Sequence, residues 1–447
     1  MKQILLFGAG KSSTCLIDYL IAHAAAEDWH ITIADIDTAI IRTKTGDAAS
    51  TTAIATDIHD IAKREALIGE ADIVISLMPP ALHFLIAQSC LLLGKSLLTA
   101  SYVDDQLKEL AASIEDNGLL FLCEMGLDPG IDHMSAMKII HNIKNKGGTI
   151  TSFKSHCGGL VAPESDDNPW HYKISWNPRN VVMAGSSGAI YRVWEEEARV
   201  EYEEIFKDCD EIEVEGFGLL AWYPNRDSLD YIAVYELEET ATFIRTTLRH
   251  PAFCRAWAVL VALQMTAADD GDMIKYCHTL SNWFHAKLHA LHGEEMGWRG
   301  YLQKNIEEHY QEEITNMLDC LGLFTDEPLP DKQDSSATVL QQLLESKLAL
   351  QPNDKDIIVM VHEIDYSLNE QEIAVVSTLV VKGENSLRTA MAKTVGLPLG
   401  IATKLILNGG LRLTGLHIPN IEAIYEPVLQ ELEEYGIRFT ETERAFL

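Results

Sequence analysis

The first 125 residues alternate short apolar runs with helix-length segments, and this alternation restricts the fold more than any other feature of the chain. Strands that return in the same direction need a crossover, so the pattern builds a parallel sheet from βαβ units. Six strands are expected at residues 3–7, 30–34, 52–55, 72–77, 96–100 and 119–123, with crossover helices over segments such as 12–25, 81–93 and 104–117. The expected fold class is α/β, a doubly wound sheet with its ligand crevice at the carboxyl ends of the strands.

Gly8-Ala9-Gly10-Lys11-Ser12-Ser13 joins the first strand to the first helix. In that context Gly8 permits a tight turn, and Gly10 lets a pyrophosphate approach the backbone at a helix N-terminus. Ser13 stands where a third small residue normally packs helix against strand, so the match to the dinucleotide pattern is imperfect. The second strand ends in Asp35, a carboxylate suited to the ribose hydroxyls of NAD and opposed to the 2′-phosphate of NADP. The plainer reading of Asp35 is a solvated loop residue. Asp57, after the third strand, either faces the adenine or caps the next helix.

Charge narrows the partners. The 67 Asp and Glu against 35 Lys and Arg leave a formal charge of −32, which repels phosphate backbones and anionic lipid. Nucleic acid and membrane are therefore not expected as partners. The longest uninterrupted apolar run, residues 256–263, falls far short of the roughly 20 residues of a spanning helix. Eight cysteines without a CxxC pair fit reduced thiols and a cytoplasmic location.

Beyond residue 148 the pattern turns to β-type alternation at 149–157 and 211–219, the mark of a second, α+β domain. Residues 252–323 read as mostly helical, 325–336 as rich in breakers, and 356–364 with 371–382 as a hairpin turning at 367–370. A last helix over 387–407 is expected to start from Ser386 as N-cap.

Past the sixth strand the chain reads Glu124-Met125-Gly126-Leu127-Asp128-Pro129-Gly130-Ile131-Asp132-His133. Together with Cys157-Gly158-Gly159-Leu160, Tyr172-Lys173, Tyr223-Pro224-Asn225-Arg226-Asp227-Ser228 and Thr247-Leu248-Arg249, this resembles the glutamate-forming branch of the saccharopine dehydrogenase family. The resemblance implies a Rossmann domain over 1–130 completed by 385–447, an α+β substrate and dimerisation domain over 131–250 and 350–384, and a helical domain over 251–349. It implies oxidation of saccharopine with a nicotinamide cofactor to glutamate and 2-aminoadipate semialdehyde, in a homodimer. By motif, the cofactor falls to Gly10, Lys11 and Ser12, with Ser101, Leu127 and Asp128 also beside it. The substrate falls to Ser101, Tyr102, Asp128, Arg226, Thr247, Leu248 and Arg249. Where NADP-using relatives carry an arginine after the second strand, this chain has Asp35-Ile36, so NAD is expected; NADP use would direct attention to Arg42 or Lys44.

A tricarboxylate held by so acidic a protein needs local cations. Arg226 and Arg249 suit it because guanidinium forks bind carboxylates in pairs, with Lys173 and Arg179 as weaker candidates for the third carboxylate. Either arginine could instead form a structural ion pair. Asp128 is the expected proton acceptor, Tyr102 a donor or orienting group, and Cys157 an assistant to proton transfer or a buried structural thiol. Asp128 before Pro129 could also merely start a turn, and His133 steady the loop. His289 and His292 near Glu294 and Glu295 are read as a solvated helix face, and no metal is expected. The rivals are a related imine or amine oxidoreductase, such as a carboxynorspermidine dehydrogenase, and a nucleotide-binding regulator without turnover.

Overall fold

The structure, a computed structural model, describes residues 1–331 and 334–445. Residues 332 and 333 of the breaker-rich stretch, and the last two residues of the chain, lie outside the described residues. The chain divides into two compact units: 1–150 with 366–373 and the segment from 377 onward, and 151–365 with 374–376.

In the first unit, β1 (Lys2–Phe7), β2 (Trp29–Asp35), β3 (Thr51–Ala55), β4 (Ile73–Ser76), β5 (Leu97–Thr99) and β6 (Leu120–Leu122) lie parallel. The unbroken burial of Ile4 to Phe7 and of Ile73 to Ser76 is what a parallel sheet covered on both faces requires. Strand Gly415–His417 adds itself in parallel to β6, giving the order Gly415–His417, β6, β5, β4, β1, β2, β3. This is a Rossmann-type sheet.

The helix Ala390–Leu407 packs on the helix Thr14–Glu27. A Cβ at Gly396 would lie 2.7 Å from the Leu16 backbone nitrogen, so glycine sets that approach. By length and composition alone this helix could cross a membrane, but 67% of it is buried inside the fold, as in a core helix. It starts at Thr389, whose hydroxyl accepts the Ala392 N–H at 2.9 Å, not at Ser386. Asn385 explains the shift, because its side-chain oxygen already takes the N–H groups of Leu387 and Arg388, each at 2.9 Å. Asp57 likewise is not a helix cap: it accepts from His59 N, and Asp60 caps the helix Ile61–Glu70.

The second sheet contains β7 (Thr149–Val161), β8 (Ala189–Val193), β9 (Glu196–Val200), β10 (Asp210–Val214), β11 (Gly218–Pro224), β12 (Thr242–Arg249), β13 (Asp356–Leu368) and β14 (Gln371–Lys382). Its main order is β10, β11, β12, β7, β13, β14 and strand Phe439–Ala445, with β8 pairing β12 and β9. The single strand expected over 211–219 is a hairpin, broken where Gly216 and Gly218 take φ of +75° and +103°. The later hairpin turns on Asn369-Glu370, both at positive φ, as a two-residue turn between right-twisted strands demands. The helices of 251–347 share one core built around Trp170, Trp257 and Trp283.

Candidate active site

Gly8 sits at φ +98°, and a Cβ there would lie 2.7 Å from the Leu77 carbonyl oxygen. Gly10 is exposed, with nothing within 4 Å of its would-be Cβ. A single 3-10 turn, Lys11–Ser13, leads into the helix Thr14–Glu27, and among the described residues no side chain caps either start. Ser12 is half-buried in that turn and Lys11 is exposed. Open space over Gly10 and uncapped N–H groups fit the pyrophosphate of a dinucleotide.

Asp35 closes the loop from the side. Its Oδ2 accepts the Ala9 N–H at 2.7 Å and its Oδ1 that of Asp37 at 3.1 Å. Each oxygen keeps further acceptor capacity, so the carboxylate can also receive ribose hydroxyls. Ile36 beside it is 80% exposed. Lys44 reaches in from the helix Thr38–Thr45 and donates to the Gly10 carbonyl and, at 3.0 Å, to Ser13 Oγ. Burial pushes its ammonium down to about 8, against the pull of Asp35. Asp57 is exposed at the carboxyl end of β3.

Beyond β5 and β6 lie Ser101, Tyr102 and Asp128. The Tyr102 hydroxyl donates to Asp128 Oδ1 at 3.1 Å, so the structure joins the two residues expected to handle protons. Asp128 belongs to a turn in which Gly126 N donates to Pro129 O at 3.0 Å and Ile131 N to Gly126 O at 2.9 Å. Gly130, at φ +146°, lies directly against the Gly126 backbone, where no side chain fits. Turn and site are thus the same feature. Leu127 is buried within it.

The turn is anchored from below. Glu124, at φ +57° and 3% exposed, accepts the Val103 N–H at 3.0 Å and pairs with His133 Nε2 at 2.7 Å; Asp132 lies 3.6 Å from the other ring nitrogen. His133 therefore steadies the loop, with two buried carboxylates holding it. Ser101 has a partner that sequence reasoning missed: its Oγ lies 2.7 Å from His83 Nε2. A histidine within the apolar run Pro80 to Ala87 was the available signal, since a buried imidazole requires hydrogen-bond partners.

In the second unit, Cys157 of β7, Thr247 of β12 and Tyr223 of β11 stand in one row across the sheet. Cys157 is 6% exposed, and burial pushes the Tyr223 phenol up to about 12. Arg249 is 3% exposed. Its Nη1 donates to the Leu248 carbonyl at 2.8 Å, its guanidinium carbon lies 5.1 Å from the Tyr172 ring centre, and its Nε has no hydrogen-bond partner. No carboxylate among the described residues pairs with it, so the structural ion pair is excluded for Arg249. Arg226 is exposed, at φ +52°.

Two expectations change here. Lys173, itself buried, is committed to Asp354 and the exposed Asp167, at 2.6 and 2.8 Å, and cannot serve a ligand carboxylate without giving up the buried pair with Asp354. Gly158 makes room for β12, since a Cβ there would lie 2.6 Å from Leu248 O. The Leu248 side chain is fully buried, which leaves only its backbone for contacts. Arg179 is half-buried at the start of the helix Pro178–Val182. His289, Glu294 and Glu295 line a hollow of about 540 Å³, and among the described residues no cluster of three or more metal-binding side chains occurs.

Residues 126–437 match the model described as the saccharopine dehydrogenase C-terminal domain, and residues 4–122 that of the saccharopine dehydrogenase NADP binding domain. The chain belongs to the saccharopine dehydrogenase family. Among curated family members it is 32% identical to the NADP(+), L-glutamate-forming saccharopine dehydrogenase of Saccharomyces cerevisiae, over 98% of this chain and 99% of that protein. It is 33% identical to the mitochondrial alpha-aminoadipic semialdehyde synthase of Bos taurus, over 98% of this chain, but spans only 47% of that protein. The chain thus covers about half of the longer relatives it matches. The solved apo saccharopine dehydrogenase (L-Glu forming) of S. cerevisiae superposes with a TM-score of 0.87 at 30% identity, covering 99% of this chain and all of that one.

Proposed function

We propose that this family member oxidises saccharopine, with water and a nicotinamide cofactor, to glutamate and 2-aminoadipate 6-semialdehyde, or runs the reverse reaction in lysine metabolism. The observation that carries the reading is the buried Arg249, a guanidinium without a carboxylate partner in a chain of charge −32. A buried cation of that kind calls for an anionic ligand. Arg249 and Arg226 receive substrate carboxylates, Thr247 lies in the row of Cys157 and Tyr223, Leu248 next to it offers its backbone, and Cys157 is kept as an assistant to proton transfer.

A nicotinamide cofactor held at Gly10, Lys11 and Ser12 would supply the acceptor for the hydride that leaves the carbon beside the secondary amine on the semialdehyde side. Asp128, held by Tyr102, takes the proton that the ammonium must lose before an imine can form. Once it has passed that proton to solvent, Asp128 takes a proton from the water that adds to the imine carbon and returns it to the nitrogen. The carbon–nitrogen bond breaks with the nitrogen protonated and retained by glutamate. Ser101, Leu127, Gly8, Gly10, Lys11 and Ser12 hold the reactants and the cofactor, and Asp57 stands at the adenine end.

For the cofactor the reading is NAD, supported by Asp35 at the end of β2 and the exposed Ile36 where a cation would be needed. NADP is the second reading, supported by the names of the relatives and by Lys44 at the phosphate loop. Following near-ultraviolet absorbance of the reduced cofactor with saccharopine and either NAD or NADP tests both. Absence of turnover with either sinks the function, and a carboxynorspermidine substrate is the next assay. Asp35→Ser with Ile36→Arg is expected to lower kcat/KM for NAD and raise it for NADP; a parent that already prefers NADP overturns the role given to Asp35. A homodimer in the cytoplasm completes the reading, and light scattering after size exclusion measures the oligomeric state.

A further inference from the structure

His83 is 3% exposed and lies between three hydroxyls at the carboxyl ends of β4 and β5. Its Nδ1 is 2.8 Å from Ser76 Oγ and 3.4 Å from Thr99 Oγ1, and its Nε2 is 2.7 Å from Ser101 Oγ. Thr99 Oγ1 accepts the Ser101 N–H at 3.2 Å. Burial holds the imidazole neutral, pushing its pKa down to about 4 against the pull of Asp104. A neutral imidazole has one donor and one acceptor nitrogen, so the surroundings must choose the tautomer.

Hydrogen-bond satisfaction makes that choice. Ser76 is fully buried, and among the described residues His83 Nδ1 is the hydrogen-bond partner of its hydroxyl. If Nδ1 carried the proton, the buried Ser76 proton would have no acceptor, at a cost that folded proteins rarely accept. Ser76 therefore donates to Nδ1, and Nε2–H donates to Ser101 Oγ. The Ser101 oxygen is then an acceptor toward the protein, and its own proton is turned outward into the crevice.

Resting on the reading of Ser101 as a reactant-binding residue, we propose that His83 is a positioning residue that fixes the Ser101 hydroxyl as a hydrogen-bond donor to a carboxylate or carboxamide oxygen of the bound reactants. Its effect passes through Ser101, and Ser76 sets the tautomer. Thr99 completes the arrangement by holding the Ser101 backbone. A serine outside such a network would rotate freely and bind donors and acceptors alike.

The tautomer is measured directly from the imidazole nitrogen chemical shifts of 15N-histidine-labelled protein, with His83 assigned by its loss in His83→Gln. The expected result is a neutral Nε2–H form near pH 7; an Nδ1–H or doubly protonated ring overturns the proposal without any assay. Kinetics supply the second arm. Ser101→Ala is expected to raise KM about tenfold or more, for saccharopine if the acceptor is its carboxylate or for NAD if it is the carboxamide. His83→Phe should cause most of that rise, and His83→Phe with Ser101→Ala should be no worse than Ser101→Ala alone. His83→Gln, whose amide N–H reaches the Nε2 position, should restore most of the affinity. Additive losses in the double variant, or no loss in Ser101→Ala, overturn the proposal. A parent enzyme inactive on saccharopine sinks the function reading, while the nitrogen shifts still decide the tautomer.

Discussion

Arg249 shows what a single residue can disclose. Its guanidinium is out of water, stacked near Tyr172 and satisfied at Nη1 by a carbonyl that carries no net charge. Arg249→Met is expected to weaken saccharopine binding while leaving NAD affinity nearly unchanged. Loss of a charge-assisted pair predicts about 1.5 to 3 kcal/mol in ΔΔG‡ from kcat/KM. A folded variant with unchanged kcat/KM refutes the assignment. For Asp128 the expectation falls on kcat instead, because Asp128→Asn keeps the shape and the Tyr102 contact but cannot take a proton. A loss of about 10² to 10⁴ is expected in stopped-flow or steady-state rates. A kcat within about threefold of the parent would make Asp128 a positioning group. Tyr102, Asp128 and Arg249 were legible in the sequence through motif and strand ends. His83 and Glu124 were not, since they act from beneath the loops and their contacts with Ser101 and Val103 follow from no spacing pattern in the sequence. Lys173 looked available because Asp354, 181 residues away, is invisible as its partner in one dimension.

Whole elements were easier to read than their ends. The six expected strands of the nucleotide domain match β1 to β6 to within one residue at each end: strands buried on both faces, such as β1 and β4, leave a continuous apolar run, and the edge strand β3, with no buried residue, shows through its β-branched Thr51, Thr52 and Ile54. Ends depend on which side chain reaches which N–H group, and here Asn385 and Asp60 decide. That distinction is testable at the helix Ala390–Leu407. Thr389→Ala should cost about 1 kcal/mol in urea unfolding. A variant as stable as the parent would mean that the Thr389 hydroxyl does not hold the start of the helix. The hairpin of β10 and β11 was missed for a related reason: Gly216 and Gly218 interrupt an alternation that otherwise runs on in register.

At the scale of the molecule, the excess of acidic over basic residues is a standing repulsion that the fold must overcome. Raising sodium chloride from about 0.01 to 0.15 M shortens the Debye length from roughly 30 to 8 Å and should raise the thermal midpoint. A midpoint that falls or stays level in that range, measured by calorimetry, would mean that local ion pairs such as Arg255 with Glu313 outweigh the general field.

The seventh strand of the nucleotide sheet has a consequence for how the protein is made. Strand Gly415–His417 pairs with β6, yet it leaves the ribosome about 290 residues later. At about 5 to 20 residues per second, the edge of β6 waits roughly 15 to 60 seconds for its neighbour. The helix Ala390–Leu407, which covers Thr14–Glu27, arrives just as late. During synthesis the nascent sheet therefore carries an open hydrogen-bonding edge and an uncovered apolar face, the two features that recruit chaperones and invite misassembly. A chain stalled before residue 390 lacks both covers, so the nucleotide sheet closes only after residue 417 has been made.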